Sequence, residues 1–255
     1  MAWQDRFSLA GRKALVTGAS KGIGAEICAV FAEAGADIVA LGRDAADLAA
    51  TADAVRAHGR RCLTLMAEME SPTDPVTACE RALAEWGTID ILVNSAGMAN
   101  VGPAVGFSTA DWDQMMAVNL RAPFLTARTL APAMIAQRWG KVINISSQTG
   151  VIALDDHAAY ASSKGGLNAL TKSLCAEWAR YNVQVNAICP TVVMTPMGRK
   201  VWGKPEKGDP FRNATPARRF AEPVEVADAA LYLASDASAM VNGALLMVEG
   251  GFTSV

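Results

Sequence analysis

The sequence predicts an α/β protein with a doubly wound, seven-stranded parallel sheet and helices on both faces, contained in one domain over 1–255. Three observations lead there. Short apolar runs alternate with stretches of helical periodicity along the whole chain. The runs are apolar throughout, as in strands buried on both faces, and that pattern belongs to parallel sheets. No linker, repeat or low-complexity stretch interrupts the alternation.

The elements follow in order. Lys13–Thr17 reads as the first strand and ends in Gly18. Residues 22–34 place Ile23, Ile27, Val30 and Phe31 at helical spacing, and Gly35 closes that helix. Ile38–Leu41 is the second strand. Asp44 stands as the N-cap of an Ala-rich helix over 44–57. Cys62–Ala67 is the third strand, 74–86 a helix and Ile89–Val93 the fourth strand. A long helical signal runs over 111–137. Val142–Ile145, a helix over 158–180, Val183–Ile188, a helix over 224–234 and Leu245–Val248 complete the pattern. One segment, 195–222, is irregular and rich in Pro, Gly, Lys and Arg. It follows the carboxyl end of a strand, where ligands bind in such sheets, so it reads as a substrate lid.

Composition excludes several classes. The 255 residues carry a net charge of −2, which argues against a nucleic-acid binder that relies on a basic surface. With 51% hydrophobic residues the chain can build a large core, so disorder is excluded. Cys28, Cys62, Cys79, Cys175 and Cys189 are odd in number and scattered, so a disulfide framework is not expected. With only His58 and His157 besides, no cluster has metal-ligand spacing. The uncharged stretch from Ile91 to Ala110 contains Asn, Gly, Pro, Ser and Thr, and reads as a strand and loop rather than a membrane span. The first residues lack the apolar run of a signal peptide. A soluble cytoplasmic protein is the expectation.

Chemistry enters at the first strand–helix junction. Thr17-Gly18-Ala19-Ser20-Lys21-Gly22-Ile23-Gly24 follows the strand and opens the helix. Gly18 permits a tight turn, and Gly22 and Gly24 let a pyrophosphate and the sheet approach the backbone. A helix N-terminus then offers N–H groups to phosphate. The turn reads as the dinucleotide site of a Rossmann fold, with a plain glycine-rich turn as the alternative, since the G-x-x-x-G-x-G spacing departs from the common fingerprint. The second strand ends at Leu41-Gly42-Arg43-Asp44. Where NAD binders place an acid for the ribose, this chain has Arg43, with Lys21 in the neighbouring turn. Two cations there suit a 2′-phosphate, so NADP(H) is the cofactor expected. The alternative is that Arg43 is a solvated side chain and NAD(H) is used.

Tyr160 and Lys164 share a helix face. A nearby ammonium stabilises phenolate, so Lys164 is expected to lower the Tyr160 pKa toward the working range of an acid–base group. Ser147, at the end of Asn144-Ile145-Ser146-Ser147, puts a hydroxyl at the carboxyl edge of the sheet, placed to polarise a carbonyl.

These residues together resemble the short-chain dehydrogenase/reductases over the whole length of the chain. The resemblance is carried by the glycine turn, Asn94-Ser95-Ala96-Gly97, Asn119, Ser147 and Tyr160-x-x-x-Lys164. It implies hydride transfer between a nicotinamide and a carbonyl or alcohol. It implies that Tyr160 exchanges the proton, that Lys164 holds the nicotinamide ribose and that Ser147 orients the substrate oxygen. Asn119 would bend its helix and hold a relay water. To the cofactor it assigns Gly18, Ser20, Lys21, Gly22, Ile23, Gly24, Arg43, Asn94, Ala96, Gly97, Tyr160, Lys164, Pro190, Val193 and Thr195. Glu68 stands where the family has an Asp facing adenine. The usual Asn-Asn-Ala-Gly is here Asn-Ser-Ala-Gly, and the usual Pro-Gly is Pro190-Thr191. No metal is implied.

Pro190-Thr191-Val192-Val193-Met194-Thr195 is similar to the dicarbonyl/L-xylulose reductase subgroup. So are Gln148 after the catalytic Ser, His157 three before the Tyr, and Trp202 in the lid. The implied substrate is a small polyol and its ketose, bound through Ser147, Gln148, His157 and Trp202. His157 as a plain helix cap and Trp202 as a surface residue remain open. So do a keto-gluconate, dicarbonyl, steroid or 3-oxoacyl thioester substrate, and a non-catalytic NADP(H)-binding regulator. The family resemblance also implies a homotetramer, pairing 111–137 and 158–180 across one interface.

Overall fold

The structure is a computed structural model and describes residues 2–255. Its seven strands are β1 (Lys13–Thr17), β2 (Asp37–Gly42), β3 (Cys62–Met66), β4 (Ile91–Asn94), β5 (Gly140–Ile145), β6 (Val183–Pro190) and β7 (Leu245–Val248). They form one parallel sheet in the order β3-β2-β1-β4-β5-β6-β7. The order reverses between β1 and β4, so a crevice opens at the carboxyl ends of Thr17 and Asn94, which are register partners.

The helices are α1 (Trp3–Phe7), α2 (Gly22–Glu33), α3 (Ala45–Ala57), α4 (Asp74–Trp86), α5 (Thr109–Met116), α6 (Ala122–Gln137), α7 (Ala158–Trp178), α8 (Pro196–Trp202), α9 (Pro205–Ala214) and α10 (Pro223–Ala234). Alternate residues of each inner strand serve opposite cores, as the period of two requires. Ala14, Val16, Ile38, Ala40, Ile91 and Val93 pack with Ile27 and Phe31 of α2 and Val226 and Leu233 of α10. Leu15, Val39, Leu41 and Leu92 face the other way, toward Ala78 and Ala82 of α4 and Leu130 and Met134 of α6. These inner strands are buried on both faces, as the apolar runs predict. The edges are not: Thr64 and Met66 of β3 are exposed and all of β7 is half-buried.

Three expectations are corrected. The fourth strand spans Ile91–Asn94 rather than Ile89–Val93, because Asp90 accepts from Lys13 N and its own N–H is taken by Lys13 O before the ladder starts. The signal over 111–137 is not one α-helix: a π-turn, Ala117–Arg121, joins α5 to α6 and carries Asn119. The segment 195–222 is largely helical. Thr195 caps α8 by accepting from Gly198 N, and proline opens both α8 and α9. Asp44 does cap α3, accepting from Asp47 N at 3.0 Å.

Candidate active site

The crevice floor is built where two loops meet. Thr17 Oγ1 accepts from Ser95 N (3.1 Å) and Ala96 N (3.0 Å), which draws the loop after β4 onto the loop after β1. Gly18 sits at φ +66°, and a Cβ there would lie 2.7 Å from Ala96 Cα. Gly24 is closer still: its Cβ would be 2.3 Å from Gly18 O. Only hydrogen fits at either place, so the glycines bring backbone against backbone. Gly22 faces Thr195, whose methyl a Cβ would meet at 3.1 Å. The turn, the first residues of α2 and the start of the lid therefore share one space. Lys21 makes no side-chain cap on α2, so it leaves the first-turn N–H groups facing that space. Ser20 lies against Gly42, at the end of β2.

The Asn94 side chain is engaged within the fold. Its amide donates to Asn144 Oδ1 at 2.9 Å, and its carbonyl accepts from Thr126 Oγ1 at 2.7 Å. Asn144 in turn donates to Thr171 Oγ1 at 2.9 Å. This buried relay ties α6, β4, β5 and α7 together, so the Asn94 side chain braces the strand ends.

The reactive groups come from three elements. β5 delivers Ser147, whose Oγ accepts from Thr149 N and Thr149 Oγ1 (2.9 Å). α7 delivers Tyr160 and Lys164. Lys164 Nζ donates to Ile145 O at 2.8 Å and lies 5.8 Å from the Tyr160 ring centre. Asn119 grips Met98 from both sides, accepting from its N–H and donating to its carbonyl, each at 2.9 Å. It also donates to Ser163 Oγ at 3.0 Å. A Cβ on Gly97 would lie 3.4 Å from Asn119 Oδ1 and 3.5 Å from Lys164 Nζ, so both groups flank the same gap.

Burial dominates the electrostatics. It depresses Lys164 to about 8, with Cys189 acting weakly the other way. It raises Tyr160 above its ordinary value, while a hydrogen bond with Ser147 lowers it. Desolvation of the phenolate thus opposes the depression expected from Lys164 and outweighs the Ser147 hydrogen bond. A Tyr held neutral is suited to donate a proton.

Sequence reasoning misses the scaffold around these groups. Asn168, one turn beyond Lys164, donates to Gly150 O at 3.1 Å and accepts from the Cys189 thiol. Ser146 Oγ donates to Lys164 O. A signal for Asn168 exists, since 160, 164 and 168 share one helix face. Nothing local marks Thr17, Asn144 or Cys189.

The remaining assigned residues divide. Gln148 is buried, and its Oε1 has no partner among the described residues. His157 occupies the N-cap position of α7 but makes no side-chain cap; its ring lies 6.3 Å from that of Tyr160, with Nδ1 on Asp155 O. The capping role is thereby excluded. Trp202 packs on Phe211 (5.2 Å) and Phe220 (6.4 Å), and Phe211 stacks on Phe252 (4.7 Å). Pro190 ends β6, and Val193 bridges to Ala221, which closes the base of the lid. Lys21 bonds Asp47 at 2.8 Å, and Arg43 lies 3.7 Å from Glu68. No cluster of potential metal ligands occurs among the described residues, and none of their helices is long and apolar enough to cross a membrane.

A glycine-cradled crevice at the switch point of a parallel sheet, with Ser, Tyr and Lys along it, defines a dinucleotide-dependent oxidoreductase. Comparison with known proteins agrees. A family model described as enoyl-(acyl carrier protein) reductase matches residues 18–253. D-threitol dehydrogenase of Mycolicibacterium smegmatis is 42% identical over 97% of this chain and 95% of its own length. NAD-dependent glycerol dehydrogenase of Listeria innocua is 39% identical, covering 97% and 96%. L-xylulose reductase of Bos taurus is 40% identical, covering 96% and 97%. The crystal structure of a gluconate 5-dehydrogenase from Burkholderia cenocepacia, in complex with NADP and tartrate, superposes with a TM-score of 0.95 at 38% identity, covering 100% of both chains. The chain belongs to the short-chain dehydrogenase/reductases. It is an oxidoreductase, and its relatives include the L-xylulose reductases that the Pro190–Thr195 run resembles.

Proposed function

We propose that the protein interconverts a small polyol and its ketose with NADP(H), with NAD(H) as the alternative cofactor. The observation that carries the reading is the meeting of Ser147, Tyr160 and Lys164 beside the glycine turn. The cofactor fits the cradle, because the positions where a Cβ would collide with backbone lie in the turn that approaches a pyrophosphate. Gly18, Ser20, Gly22, Ile23 and Gly24 would hold the pyrophosphate, and Ala96 and Gly97 the adjoining ribose. Pro190, Val193 and Thr195 would hold the nicotinamide end, with Lys21 and Arg43 at the 2′-phosphate and Glu68 at the adenine. When bound, the nicotinamide supplies or accepts hydride at C4.

The protein's own groups supply the rest. In ketose reduction Tyr160 gives its phenolic proton to the carbonyl oxygen. Ser147 Oγ donates a hydrogen bond to that oxygen as charge develops on it. Lys164, still largely protonated at pH 7 with its pKa near 8, stabilises the phenolate left behind. Asn119 holds Met98 and Ser163 in place beside Lys164 and so preserves the gap at Gly97, where a relay water would sit.

The polyol assignment draws on Gln148. A substrate hydroxyl would satisfy this buried acceptor, which has no donor among the described residues, and a site made for hydroxyls rejects apolar substrates. His157, beside Tyr160, supplies a second polar contact, and Trp202 with 195–222 forms the lid. Names among the relatives, threitol, glycerol and L-xylulose, support the same class. A keto-gluconate is the second reading, favoured by the likeness to the gluconate 5-dehydrogenase structure. A homotetramer is supported by the apolar side chains of Trp112 and Phe124, which stand exposed on α5 and α6.

The test follows nicotinamide absorbance with purified protein. L-Xylulose, other pentuloses, diacetyl, a keto-gluconate and an acetoacetyl thioester are offered with NADPH and NADH. Ketose turnover, faster with NADPH, is expected. Turnover of the keto acid or thioester alone would discard the polyol reading.

A further inference from the structure

The 2′-phosphate end of the crevice is electrostatically contested. Its two cations are Lys21 and Arg43. Around them stand three carboxylates, Asp44, Asp47 and Glu68. Asp44 is occupied as the cap of α3. Glu68 is loosely paired, at 3.7 Å from Arg43. Asp47 makes the tight contact, 2.8 Å from Lys21 Nζ. The Asp47 backbone stays beside Lys21, because its N–H is held by the Asp44 carboxylate in the first turn of α3.

We infer that Asp47 sets the cofactor preference by competing with the 2′-phosphate for Lys21. This rests on the reading that Lys21 and Arg43 receive that phosphate. A phosphate arriving at Lys21 meets a carboxylate already bonded to it, and the two anions repel. A ribose hydroxyl brings no charge, so NAD(H) meets no such opposition, and a nearby carboxylate can accept its hydrogen bond. The arrangement lowers discrimination rather than abolishing NADP(H) binding, so the enzyme uses both cofactors.

The experiment compares kcat/KM for NADPH and NADH in wild type, Asp47→Asn, Lys21→Ala and Arg43→Ala. The pairs are solvent-exposed, so the effect is modest. Asp47→Asn is expected to raise the NADPH-to-NADH ratio about three- to fivefold. The change should fall on KM for NADPH and shrink at high salt. Lys21→Ala and Arg43→Ala should lower the ratio. If they do so while Asp47→Asn leaves it within experimental error of wild type, the role of Asp47 is wrong and the phosphate reading stands. If neither cation matters to the ratio, both ideas fall. Titration of each variant with NADPH and with NADH, followed by nucleotide fluorescence, measures the same preference as a ratio of dissociation constants, without turnover.

Discussion

The proposed catalytic floor and the proposed 2′-phosphate end of the crevice are built by opposite means. On the floor, Lys164, Asn119, Ser147 and Asn144 are buried, and each is fixed by short hydrogen bonds to backbone or neighbouring side chains. At the far end, Lys21 and Arg43 are about two-thirds exposed or more, at 65% and 72%, and meet their partners only as ion pairs in water. Proton transfer needs geometry held to a fraction of an ångström, which buried hydrogen bonds provide. Cofactor choice needs only a difference in affinity, which exposed charges can tune without disturbing the chemistry. Changes on the floor should therefore alter turnover by orders of magnitude, whereas changes at the periphery should alter ratios.

The sharpest attempt to break this contrast is Tyr160→Phe. Loss of the proton donor should lower kcat about 10²- to 10⁴-fold while NADPH still quenches or shifts fluorescence on binding. A variant that kept a tenth of wild-type turnover would remove Tyr160 from the chemistry. Gly150→Ala tests the scaffold instead. The added Cβ would lie 2.6 Å from Asn168 Nδ2 and 3.1 Å from Lys164 O, which pushes the Ser147 turn off α7. A kcat loss of about ten- to a hundredfold is expected, with KM for the cofactor little moved; a pure KM effect would contradict it. Trp202→Ala samples the periphery on the substrate side. It should raise KM for the ketose about three- to tenfold, and unchanged KM would mean that the indole serves only the Phe211–Phe252 stack.

The smallest effect concerns a buried charge far from the crevice. Lys141 is 1% exposed, bonds Ser238 and is depressed to about 8 by burial. In the unfolded chain it titrates near its ordinary value, so between pH 8 and about 10.5 the unfolded state holds more protons, and stability from this group rises with pH. Lys141→Met should be more stable than wild type at pH 7 by about 1–3 kcal/mol in urea unfolding, and that margin should shrink as pH rises through the window. A constant margin would show that the ammonium charge is not what destabilises the wild type.

Legibility in the sequence follows the same divide. The sheet, its crevice and the Tyr160–Lys164 pair rest on periodicity and local spacing, and those are readable. The starts of α8 and α9 are written in Thr195-Pro196 and Pro205, but the charged residues between them mask the helical period. The bend at Asn119 is legible only through the family resemblance, because Ala117–Arg121 by itself reads as ordinary helix; in the structure a π-turn stands there, with Asn119 gripping Met98 and Ser163. The Lys21–Asp47 pair joins the glycine turn to the first turn of α3, which only the folded sheet brings together. The raised pKa of Tyr160 likewise depends on a burial that no window of sequence contains.

The Asn94–Asn144 bond has a consequence for folding fidelity. In strands that are apolar on both faces a slipped alignment still buries hydrocarbon, so burial alone discriminates weakly between registers. Asn94 and Asn144 are direct register partners on β4 and β5, and each amide is also bonded to a threonine of a flanking helix. Misaligning those strands would strand several polar atoms in a dry interior, at a cost of roughly 1–3 kcal/mol apiece. One pair of amides thus acts as a proofreading mark for the assembly of the sheet, and it fixes β4, one of the two strands at whose ends the crevice opens.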